Sequence, residues 1–130
     1  MRNQTWQPKP PKPPAKPDVA DDVREAVDAQ AALVIAALKK RGSKRPKNPR
    51  FNSYEDLFTR WHRDALYFVF LMRTPHGRPE TFESHAARME HAGKGKFNLA
   101  VPMRRGWNTF KRGASLDECL EEIRASVQFG

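Results

Sequence analysis

The signs of the charged residues are sorted along this chain, and the sorting decides which segments can enter a core. Met1–Pro17 holds Arg2, Lys9, Lys12 and Lys16 with no acid, and Pro8–Pro17 (PKPPKPPAKP) is mostly proline. Proline removes a backbone donor and fixes φ, so residues 1–17 are expected to form an extended, disordered Pro/Lys-rich leader. Lys39–Arg50 holds seven bases (Lys39, Lys40, Arg41, Lys44, Arg45, Lys47 and Arg50), no acid, two prolines and a glycine. Such a stretch cannot bury a face, so residues 42–50 read as a basic linker. Two segments are left to fold: 18–41 and 51–130.

The whole chain has 130 residues and a formal charge of +9, enough for one domain with appendages. No run approaches the roughly 18–20 apolar residues of a membrane span. The start is polar and proline-rich, without the apolar stretch of a secretory signal. The lone Cys119 cannot close an internal disulfide or supply a multi-cysteine zinc module. A cytoplasmic protein with no membrane contact is expected.

Asp18–Lys40 reads as a helix, giving an expected unit over 18–41. Acids crowd its first turn, Lys39, Lys40 and Arg41 close it, and Gly42 suits the stop. Val19, Val23, Val27, Leu33, Val34 and Leu38 contribute to a broad apolar face along about six turns. That face either packs on its own domain or docks on a second copy or a larger partner.

Ser53–Leu66 reads as a second helix: Tyr54, Leu57, Phe58, Trp61 and Ala65 fall at helical spacing, with Ser53 and Asp56 as cap and carboxylate. Leu66–Arg73 (LYFVFLMR) is an unbroken apolar, aromatic run and reads as a central strand. Over Glu80–Gly93, Phe82, Ala86 and Met89 favour a short helix, with a return strand as the competitor. Lys96–Arg104 (KFNLAVPMR) alternates as a strand that Pro102 either places at an edge or ends in a bulge. Arg105–Gly106 makes a turn and Trp107–Arg112 the partner strand. Ser115 and Glu118 then form a capping box for a last helix whose packed face is Leu116, Cys119, Leu120, Ile123 and Val127. The expected fold is α+β: a small antiparallel sheet packed by helices, compact over 51–130.

Catalytic motifs are not apparent. His62, His76, His85 and His91 form no pair at ligand spacing, so neither a metal nor another cofactor is expected. Cys119 lies on an apolar stripe, where a small inert hydrophobe is the simpler reading than a nucleophile. Phosphate-loop and nucleophile-elbow motifs are missing. Gly93-Lys94-Gly95-Lys96 suits a flexible basic turn. An enzyme is not expected.

What stands out is charge. Ala92–Leu116 contains no acid while Lys94, Lys96, Arg104, Arg105, Lys111 and Arg112 are basic, and Trp107 lies among them. Cationic side chains contacting phosphates supply most nucleic-acid affinity, and an aromatic among them can stack on a base. With the leader and the linker, this hairpin makes three acid-free basic segments in one short chain. Sorting of that kind serves a polyanionic partner better than it serves solubility. The expected function is a non-enzymatic nucleic-acid-binding accessory protein, DNA or RNA, that uses the linker and the hairpin on phosphates. The rival is a small inhibitor or adaptor that docks through helix 18–41. From Phe97 to Val127, a strand, turn and strand followed by GASLDECLEEI, the chain resembles the hairpin-plus-helix end of antitoxins of the HicB kind. It also resembles the three-stranded DNA-binding arm domains of phage-type integrases. The likeness covers about 30 residues and implies a DNA-binding context without assigning any residue a role.

Overall fold

A computed structural model describes residues 19–43, 52–75 and 80–127. The leader 1–17 and the linker bases Lys44, Arg45, Lys47 and Arg50 lie outside the described residues. The elements run α1 (Asp21–Ser43), β1 (Ser53–His62), β2 (Ala65–Arg73), β3 (Thr81–Gly93), β4 (Lys96–Pro102), β5 (Trp107–Ser115) and α2 (Leu116–Ser126). The five strands form one antiparallel sheet in sequence order. The fold is α+β, and both helices lie on one face of the sheet.

Alternation explains that layering. Leu57, Leu66, Phe68, Phe70, Ala87, Met89, Phe97, Leu99 and Ala114 point to one side and join one core with Val27, Ala31, Val34 and Leu38 of α1 and Cys119, Leu120 and Ile123 of α2. The apolar run Ala65–Met72 lies in β2, between β1 and β3 as its composition implied. Ser115 caps α2 by accepting from the Glu118 amide, and Glu118 reaches back to the Ser115 amide. Pro102 ends β4, which is an inner strand with irregular pairing to β5. The strand–turn–strand–helix unit is therefore the last part of a five-stranded meander, not of a three-stranded arm.

Two expectations are corrected, for one reason. Residues 53–62 and 81–93 are strands, and each carries a bulge: Glu55 is passed over between Tyr54 and Asp56, and Ala86 between His85 and Ala87. An extra residue turns an inward spacing of two into three. Tyr54 and Leu57 thus face the same core, and the apolar pattern imitates a helix. Aromatic and β-branched residues (Tyr54, Phe58, Thr59, Trp61) favour the pleated alternative. Asp56 caps nothing; its Oδ1 accepts from the Leu57 amide at 2.9 Å and pairs with Lys39 Nζ at 2.9 Å.

The docking face assigned to residues 18–41 is also corrected. Val19, Val27, Val34 and Leu38 are buried and Val23 packs against the same core, while Leu33 alone of the six faces outward at 66% exposure. The protein's own sheet and α2 cover the stripe, so it is closed to a second copy or a larger partner. α1 belongs to the same core as the sheet.

Two polar contacts hold α1 along β1: Trp61 Nε1 donates to Asp28 Oδ1 at 2.8 Å, and Lys39 meets Asp56. The hydrogen bond from Lys39 holds the Asp56 carboxyl below its ordinary range, more than burial raises it. A depressed carboxylate stabilises the fold above its unfolded pKa of about 4 and loses that contribution as pH falls through the folded value. Both side chains are near half exposed, so the pair contributes at most about 1 kcal/mol. Asp56→Asn should lower the melting temperature slightly at neutral pH, and the difference from wild type should vanish well below pH 4. A difference that persists in acid contradicts this role.

Candidate nucleic-acid interface

The strand register places a second set of side chains on the helix-free face. One row runs Arg60, Tyr67, Arg88, Ala100 and Thr109 across all five strands. Beside it run Phe58, Val69 and His85, and on its other flank His62, Ala65, Glu90 and Asn98. Trp107, opposite Pro102 on β5, reaches across the small β4 side chains to the centre of this face.

There the rings touch. Tyr67 lies 5.2 Å from His85 and 5.6 Å from Trp107 between centroids, His85 lies 5.5 Å from Trp107, and His62 adds a contact to Tyr67 at 6.3 Å. The Arg88 guanidinium sits 4.5 Å over the Trp107 ring and Arg60 sits 5.3 Å over Phe58. No helix covers this face, yet Val69 and Ala100 beneath are fully or nearly fully buried. The aromatic layer is their cover. Tilted and edge-on rings contribute about 0.5–1.5 kcal/mol per pair beyond area.

The charges on this face are largely cancelled. Arg60 donates twice to Glu83, at 2.8 and 2.7 Å, which raises the arginine's pKa and lowers the glutamate's. Asn98 donates to Glu90 at 3.2 Å and accepts from the Gly113 amide at 2.9 Å. The centre is thus aromatic and close to neutral.

The free cations sit at the ends of the strands. The β3–β4 turn presents Lys94, itself in the left-handed region, as the two-residue hairpin requires. Lys96 follows, with Arg112 late in β5, and Arg63 lies in the β1–β2 turn at that same end. Arg104 and Arg105 occupy the β4–β5 turn at the opposite end, where the Met103 amide donates to the Gly106 carbonyl. Lys111 is opposite Leu99, and it and Lys96 help lower the Glu118 carboxyl, after that group's bonds to Ser115. None of Lys94, Lys96, Arg104, Arg105, Lys111 and Arg112 has an ion-pair partner among the described residues.

The expected hairpin surface is corrected accordingly: its cations divide between two ends of the sheet, separated by the length of β4, roughly 20 Å at a strand's rise. Lys39, expected on phosphate, is engaged by Asp56, whereas Lys40 and Arg41 are exposed at the end of α1. Trp107 does meet an arginine, but it is Arg88. Phe58, Arg60, His62, Tyr67, His85 and Arg88 escaped the sequence reading. Placing the bulges at Glu55 and Ala86 would have aligned Phe58, Arg60 and His62 with His85 and Arg88.

Other sites offer less. On the helix side an apolar groove of about 410 Å³ runs past Tyr54, Met72, Phe110 and Val127, with the Glu122 carboxylate in it, a poor setting for a polyanion. Cys119 is buried, and desolvation pushes its thiol up to about 11, so it is no nucleophile at neutral pH. Among the described residues no cluster of His, Cys, Asp and Glu could hold a metal ion, and no helix is long and apolar enough to cross a membrane.

Residues 19–128 match the family described as Domain of unknown function (DUF3024). No curated protein and no solved structure matches the chain. The matched span runs from the start of α1 past the end of α2, in keeping with a core that includes both helices.

Proposed function

The chain belongs to this family, whose description names no activity, and we propose that it is a non-enzymatic nucleic-acid-binding accessory protein. The observation that carries the reading is the arrangement just described: unpaired cations at both ends of a sheet, with an open aromatic and arginine face between them. A polyanion laid along the strands meets Arg63, Lys94, Lys96 and Arg112 at one end and Arg104 and Arg105 at the other. Lys40, Arg41 and the linker bases extend the second end, because α1 finishes and β1 begins there. Phosphate neutralisation of this kind is largely indifferent to sequence. The adaptor reading loses support, since the helix face it needs is buried in the protein's own core. A lone buried cysteine suits the cytoplasm.

Purification with and without nuclease tests the proposal. Without nuclease, the folded protein should carry material absorbing at 260 nm and a mass above that of the 14.9 kDa chain. Nuclease and high salt should remove both. A folded protein free of nucleic acid in both preparations, and silent towards added DNA and RNA, contradicts it.

A further inference from the structure

We propose that the helix-free face takes unpaired bases, so that the preferred ligand is a single-stranded polynucleotide and not a duplex. This rests on the nucleic-acid reading above and adds the part of the ligand that the sheet recognises.

The argument is one of charge against surface type. A duplex offers phosphates along its outside and keeps its bases stacked within. It would gain most from a face rich in unpaired cations. The centre of this face is the opposite: Arg60 is bonded to Glu83, Arg88 lies over Trp107, and Glu83 and Glu90 stand among the rings. Phosphates have little to gain there. Uncharged bases do, because any base has a π-face that an aromatic ring or a planar guanidinium can stack on.

The geometry supplies a continuous platform. Tyr67, His85 and Trp107 are mutual neighbours at 5.2–5.6 Å, with Phe58 and its overlying Arg60 farther along the sheet. His85 is exposed, and Tyr67, Arg88 and Trp107 are partly so. The small β4 side chains Ala100 and Pro102 leave the approach to the platform low. The free cations then lie at the strand ends, where the backbone of a strand crossing the face enters and leaves. Bases go to the middle and phosphates to the margins.

The test compares a fluorescent oligothymidylate of about 20 nucleotides with a duplex of similar length, both titrated with the full chain. Wild type should bind the single strand at least about tenfold more tightly. Trp107→Ala should reduce single-strand affinity about tenfold and leave duplex affinity within about twofold. Trp107 also helps to cover Val69, so Trp107→Phe serves as the folded control and should retain most of the preference. His85→Ala, at an exposed position, should lose part of it, with its melting temperature as a check. Equal binding of both probes by wild type, or equal losses on both probes in Trp107→Ala, overturns the inference while leaving charge-led binding intact. Binding of neither probe by the folded protein overturns both readings.

Discussion

Replacing Leu38 with alanine should destabilise the protein by about 3 kcal/mol, whereas Leu33→Ala, five residues earlier on the same helix, should cost under about 0.5 kcal/mol. Leu38 is completely buried in the core that α1 shares with the sheet and α2, and Leu33 is 66% exposed. Truncating a packed leucine loses its transfer free energy and leaves a cavity that the surroundings fill only in part. An exposed side chain incurs neither cost. Against the roughly 5–15 kcal/mol by which single domains are stable, the Leu38 substitution takes a large share. Denaturant unfolding of the two variants decides the matter. Were α1 a separate docking helix, both substitutions would be nearly neutral for folding, and equal small effects would contradict the architecture.

The second large effect concerns charge. Changing Arg104, Arg105, Lys111 and Arg112 together to glutamate should weaken nucleic-acid binding by well over tenfold near 0.1 M salt. It should also flatten the dependence of log affinity on log salt by about 3, because each lost phosphate contact removes about 0.7–0.9. The divided placement of these residues sharpens the expectation. Arg104 and Arg105 occupy the β4–β5 turn, while Lys111 and Arg112 lie late in β5. Each pair reversed alone should cost part of the affinity, and the two losses should be nearly additive, as for sites without shared partners. Since these side chains have no ion-pair partners among the described residues, the reversals should leave the melting temperature almost unchanged. Unaltered affinity in the fourfold variant would remove the strand ends from the interface.

What the sequence made legible was local. The capping box at Ser115 and Glu118, the turn at Arg105–Gly106, the alternation of β4 and the unbroken apolar run of β2 each depend on residues within a few positions of one another. They came through intact. β1 and β3 did not, because the extra residues Glu55 and Ala86 gave strands a helix-like spacing. The helix face of α1 was legible as apolar, but its cover was not, since five strands and α2 had to be placed first. The aromatic platform was hidden for the same reason. Tyr67, His85 and Trp107 are far apart in sequence and meet only when β2, β3 and β5 share a sheet with small residues on β4 between them. Charge sorting was visible from the first reading, yet the division of the hairpin cations between opposite ends follows from strand direction, which composition does not carry.

The central claim is that a polyanion lies across this sheet with its phosphates held at the ends of the strands. The most direct measurement is the affinity of the purified chain for an oligothymidylate over a range of salt concentrations. With four or more phosphates engaged, log affinity should fall with log salt at a slope of about −3 or steeper. A slope near zero, or no binding by a folded protein at low salt, contradicts the claim.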